Sequence, residues 1–248
     1  MTESILEVSI IGLSAFLLLV ITIWKRRSPS KFREIPALAR MYRAIGLSVE
    51  DGSRLHISLG SGGVLTSHGG SAFAGLETLR HITERTSASD QPPVVSTGEA
   101  TLGLLAQDTL QAGYQSAGVD ELYSPTSGRV TGLSPFSYAA GAMPITQNEN
   151  ISANILLGHF GPEVALLADA SDRENVVMIG ASDNISGQSI LFASSQEPLI
   201  GEELFAPPAY INAGASHIAS LTLQDILRWL IIIALLVGAG LKFLGLTF

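Results

Sequence analysis

Two adjacent carboxylates, Glu202 and Glu203, and one imidazole, His159, follow short apolar runs, the positions where ligands meet the strands of an open α/β sheet. Paired acids with a nearby imidazole can move protons or hold a divalent cation. Neighbouring side chains on a strand point to opposite faces, so the pattern leaves their convergence open. The five histidines (His56, His68, His81, His159 and His217) show neither His-x-x-x-His nor His-Glu-x-x-His spacing, and no metal ligand set is assigned. A Gly-x-Ser-x-Gly elbow and a Gly-Lys-Ser/Thr loop are both missing, which removes the usual seats of a hydrolase nucleophile and a Walker phosphate cradle.

The second candidate is the turn Gly60-Ser61-Gly62-Gly63, whose small residues let backbone N–H groups approach an anion ahead of a helix. It departs from the dinucleotide fingerprint because Leu65 stands at the third glycine position. A turn shaped only by strand-to-helix packing explains the same residues. Glu99 ends a second apolar run, where such folds place a ribose acid, but it lies 39 residues after Gly60. The usual interval is about 20. A glutamate at a helix N-terminus is the competing explanation, favoured by the helix dipole. No cofactor is identifiable.

These residues belong to a chain of 248 residues with 46% hydrophobic content and mean hydropathy +0.36. It has no cysteine, which excludes disulfides, thiolate metal sites and cysteine nucleophiles. Seven of the 14 lysines and arginines lie between Lys25 and Arg43. Residues 44–224 hold five arginines against 18 acids, net −13 with histidine neutral. That surface repels phosphate backbones and excludes nucleic acid as a partner of the middle region.

Six apolar runs ending in small residues divide the middle: Leu55–Leu59, Pro93–Ser96, Arg129–Leu133, Asn154–Leu157, Val176–Ile179 and Pro198–Ile200. Helical patterning fills Ser71–Arg85, with Phe73, Leu76, Leu79 and Ile82 on one side, and Thr101–Ala117. This alternation predicts a Rossmann-like three-layer α/β domain with a mostly parallel sheet of about six strands. In Leu55–Leu59, His56 and Ser58 alternate with apolar residues. The run therefore suits a strand near an edge, or a central one in which His56 is buried and paired.

The ends are apolar. Val8–Trp24 is uncharged, preceded by Glu3 and Glu7 and followed by Lys25, Arg26 and Arg27, which predicts an anchor with its N-terminus outside. A second span starts near Trp229, with Asp225 and Arg228 at its inner edge. Ala234 and Gly238 form a small-xxx-small pair on it. Between the first anchor and the domain, Pro36–Ile45 reads as a short amphipathic helix ended by Gly46. It is either a connector packed on the domain or part of a basic collar on anionic lipid, with Lys25, Arg26, Arg27, Lys31, Arg33, Arg40 and Arg43 as membrane-surface residues. The expected organisation is an anchor at 1–24, a basic segment at 25–46, a cytoplasmic α/β domain at 47–224 and a second membrane helix at 225–248.

The segments Ser89–Val95, Tyr138–Met143, Gly201–Ala206 and Ala219–Leu221, with the basic N-terminal anchor, resemble a family of bacterial membrane-anchored proteins catalogued only as a domain of unknown function. The resemblance covers roughly Phe32 to Arg228. It implies the tethered architecture, no reaction and no catalytic residue. Its most distinctive stretch, Gly201–Phe205, draws attention to Glu202 and Glu203. The expected role is a non-catalytic, membrane-tethered assembly module, homo-oligomeric or joined to other membrane subunits. The alternative is a ligand-binding or enzymatic domain that takes a nucleotide or small phosphorylated ligand through Gly60, Ser61, Gly62, Gly63 and Glu99.

Overall fold

The computed structural model describes residues 2–25, 33–87, 89, 91–211 and 215–243. They form two compact units, Arg33–Ile211 and the pair Met1–Phe32 with Asn212–Phe248.

In the first unit, α2 (Pro36–Glu50) leads into β1 (Arg54–Gly60), followed by α3 (Gly69–Thr86), β2 (Val94–Thr97) and α4 (Ala100–Ser116). Two 3-10 turns then precede β3 (Gly128–Val130), α5 (Pro135–Asn148), β4 (Ile151–His159), α6 (Val164–Arg173), β5 (Val177–Ser182) and α7 (Ile185–Ser194). The five strands are all parallel, in the order β3-β2-β1-β4-β5. This is the doubly wound order in which the connections reverse direction between the first and fourth strands. Helix starts follow the side chains available. Ser134 closes a capping box with Ser137 ahead of Pro135, and Asn184 accepts from the Ser186 amide at the start of α7.

The sheet has five strands, not six. Pro198–Ile200 makes one backbone bond to the sheet, Leu199 N–H to the Gly180 carbonyl, and then turns into a 3-10 helix, Gly201–Phe205. Prolines 207 and 208 open α8 (Pro207–Tyr210), since a first-turn proline lacks only an amide that would be unbonded there. β1 is central, and His56 is fully buried, bonded through Nδ1 to Asn154 on β4 and through Nε2 to Ser96 on β2, each at 2.8 Å. Asn154 passes its amide to Thr146 and Ser171, so the polar residues of a central strand are satisfied. Leu76, Leu79 and Ile82 of α3 are buried as the periodicity predicts, whereas Phe73 is exposed. The helix instead sets Ala72 and Gly75 against the sheet.

Helix α2 continues past Gly46, and its apolar face (Ala37, Leu38, Met41, Ala44 and Ile45) is buried in the domain. Arg40 bonds Gln196 and, at 3.2 Å, Glu197. The connector explanation accounts for that face.

In the second unit, α1 (Thr2–Lys25) and α9 (Ala215–Phe243) pack through Ile21, Ala219 and Leu223, flanked by Leu17, Leu18 and Leu227. Among the described residues one helix, Ser216–Phe243, is long and apolar enough to cross a membrane. The N-terminal helix offers a shorter apolar stretch, Gly12–Lys25.

Candidate functional site

Where the strand order reverses, β1 and β4 stay paired as far as Gly60 and His159, and the turn after β1 crosses their ends. Ser61 N–H donates to the His159 carbonyl at 3.0 Å, and Gly98 N–H donates to the Gly60 carbonyl at 2.9 Å. The turn is thus pinned between the ends of β4 and β2. Gly60 has φ +75, and a Cβ there would stand 2.3 Å from the His159 carbonyl oxygen. A Cβ on Gly62 would stand 2.6 Å from the Cβ of His159 and 3.1 Å from that of His68. Both positions demand glycine because two chains approach too closely for a side chain.

The space left by Gly62 is used by imidazoles. His159, the last residue of β4, and His68, just before α3, stack with ring centroids 3.7 Å apart. Both address Asp183, the residue after β5. His159 Nδ1 lies 2.6 Å from one carboxylate oxygen, and His68 Nδ1 lies 3.2 Å from the other. Ser71 Oγ, on the first turn of α3, donates to that second oxygen at 2.8 Å. Two strand ends and the residue before α3, remote in sequence, therefore deliver two imidazoles and one carboxylate to one place. The side chains of His159 and Asp183 are 18% and 20% exposed and that of His68 is 39%, so the cluster is ordered by packing yet open to solute. Among the described residues, these three form the group whose ligating atoms, all within 4.8 Å of one another, could hold a metal ion.

Beneath the cluster the sheet is polar. The Ser58 and Tyr138 hydroxyls share a hydrogen bond, and both residues are fully buried. Burial pushes the Tyr138 phenol up to about 12, against the opposing bonds from Ser58 and Ser96. Tyr138 is therefore a neutral phenol near the strand ends. His56 is the opposite case: burial pulls its imidazole down to about 4 although Asn154 favours its charged form. It sits within the sheet, apart from the strand ends.

The residues singled out from sequence divide accordingly. His159 joins the cluster. Glu203 pairs with Arg33, and its other oxygen accepts from Ile200 N–H at 3.2 Å. Glu202 and Glu203 belong to the 3-10 helix and are not members of the metal-compatible group. Glu99 is the N-cap of α4 and accepts from Leu102 N–H at 2.6 Å. Burial acts to raise its carboxyl, but bonds from the Leu102 and Thr101 amides and the Thr101 hydroxyl outweigh it and hold the group below the usual carboxylate value. Its carboxylate already occupies the helix terminus that an incoming phosphate would need. Gly60 and Gly62 lie against His159, Ser61 N–H bonds the His159 carbonyl, and Gly63 lies against Thr66 and Glu99.

Of the membrane-surface residues, Arg33 and Arg40 are engaged as above and Arg43 is exposed. Lys25 lies over the Trp24 ring at 5.4 Å. Arg26, Arg27 and Lys31 fall outside the described residues. His68, Ser71 and Asp183 are the residues that sequence reasoning missed. The available signal was positional: Asp183 directly follows an apolar run and its small-residue turn, and His68 directly precedes a helix.

A second hollow, about 280 Å³, lies at the opposite edge of the sheet and is lined by Ser171, Asp172, Asn175 and Val177 among others. It gathers no imidazole or basic group and sits at the amino end of β5, away from the edge where such sheets bind ligands.

Neither a curated protein nor a solved structure matches the chain. One family model, described as a domain of unknown function (DUF6754), matches residues 1–248.

Proposed function

The chain belongs to the DUF6754 family, and from that premise we propose that it is a membrane-tethered α/β domain that binds a small ligand in the crevice between β1 and β4. The observation that carries this is the convergence of His159 and Asp183, from the ends of β4 and β5, with His68, from the start of α3, at the reversal point of the sheet. Ligands of doubly wound sheets sit in that crevice. The ligand's polar group, a phosphate among the candidates, faces the two imidazoles. Leu65 and Ile185, 94% and 81% exposed beside the same strand ends, offer apolar surface to the rest of it.

The tether is two-pass in this proposal. Helix α9 has the length and apolarity of a span, and α1 offers the uncharged run Val8–Trp24, at the short end of what crosses a bilayer. Positive charge after the first span favours a cytoplasmic domain.

Thermal unfolding of the full chain in detergent, screened against nucleotides and small phosphorylated compounds, tests the ligand. A ligand at about 100 times its Kd adds about 2.7 kcal/mol, which is roughly 5–10 °C in a chain of this size. Gly62→Asp, which drives a carboxylate into His159, abolishes that gain. If no compound stabilises the chain, or Gly62→Asp responds as the parent does, the crevice is not the ligand site.

A second reading, assembly through α9, is favoured by the exposure of its small pair Ala234 and Gly238. Native mass spectrometry showing only monomers would remove it.

A further inference from the structure

We propose that His68, His159 and Asp183 are the protein ligands of a divalent transition-metal ion at the mouth of the crevice. The inference builds on the crevice proposal and names what lies at its polar end. Two imidazole nitrogens and one carboxylate oxygen form a donor set of intermediate softness, suited to zinc and its neighbours rather than to magnesium or calcium. Three protein donors leave a further coordination position for water or for an oxygen of the ligand.

The geometry is close to what an ion requires. A tetrahedral ion with bonds of about 2.1 Å holds its donors roughly 3.4 Å apart. Here one donor atom from each of the three residues lies within 4.8 Å of the others, and the two Nδ1 contacts, to different Asp183 oxygens, measure 2.6 Å and 3.2 Å. Small side-chain rotations open that cluster around an ion. The supports are also present. Ser71 Oγ donates to Asp183 at 2.8 Å, the outer hydrogen bond that orients ligating carboxylates. Gly62 admits both rings, and β4 and β5 fix the backbones of His159 and Asp183.

Zn²⁺ titration of the full chain in detergent, stripped of metal by chelator, tests the site by calorimetry. Co²⁺ absorption reports the ligands independently. One Zn²⁺ per chain is expected, competed by Co²⁺ and not by Mg²⁺. His68→Ala and His159→Ala each weaken it at least about 100-fold, and Ser71→Ala weakens it about 10- to 100-fold. His68 is the most exposed member, so its variant keeps the parent's circular dichroism and melting. His81→Gln, which removes the imidazole between Glu77 and Glu84 on α3, leaves binding unchanged.

No saturable Zn²⁺ uptake by the folded chain overturns the proposal, as does uptake equal in His68→Ala and His159→Ala. Zinc binding without any small-molecule response keeps the metal and removes the ligand. A small-molecule response that persists in chelator with no zinc uptake does the reverse.

Discussion

His56 is a neutral imidazole held in the middle of a central strand. Its folded value, about 4, lies below the ordinary 6.5, because burial penalises the charged ring more than Asn154 supports it. Between those values the unfolded chain binds the extra proton, so stability is fully present above pH 6.5 and is lost as the pH falls toward 4. The shift corresponds to about 3 kcal/mol. Denaturant midpoints measured from pH 7 to 4 should therefore fall. His56→Gln, which keeps polar reach toward Ser96 and Asn154 but cannot titrate, should flatten that slope by up to one proton while lowering stability at pH 7. Glu149, bonded to Arg54 at 2.6 Å and to Arg129, titrates in a lower window. Burial works against its ionisation, and the two arginines overcome this and hold the carboxyl below its usual value. Its stabilisation is present above the unfolded carboxylate value and is lost as the pH falls through the folded one, so the two effects separate along the pH axis.

At the scale of elements, α2 belongs to the domain's core. Met41 is fully buried there, and Met41→Ala should cost about 2–5 kcal/mol, read as a drop in the denaturant midpoint with an unchanged slope. A helix lying on lipid would instead leave the domain's stability unaltered. The alternation of strand and helix made the parallel sheet legible from sequence, because apolar runs closed by small residues carry that rhythm locally. What eluded sequence was pairing over distance. His56 in β1 was ambiguous because its partners Ser96 and Asn154 lie 40 and 98 residues away. The cluster at the crevice was hidden for the same reason: His68 and Asp183 are 115 residues apart, and only the strand order brings them beside His159. Pro198–Ile200 looked like a sixth strand because short apolar runs bounded by glycine do not distinguish a paired strand from one held by a single bond. Phe73 misled through periodicity alone, since on α3 the close approach to β1 and β4 is reserved for Gly75.

The whole molecule lends itself to a direct test of topology, because a chain with no cysteine needs no background removed. Ser116→Cys places one thiol on an exposed turn of α4. In intact cells it should resist a membrane-impermeant maleimide, and it should label fully once the inner leaflet is accessible. Labelling from outside would invert the proposed orientation. One further consequence comes from the packing of α1 against α9 through Ile21, Ala219 and Leu223. These helices are the first and last elements of the chain, and the whole α/β domain lies between them in sequence. During synthesis the domain emerges and folds as a unit before α9 leaves the ribosome. Translation that stops before α9 would leave Ile21 without Ala219 and Leu223, so the α1–α9 pairing exists only once α9 has been made.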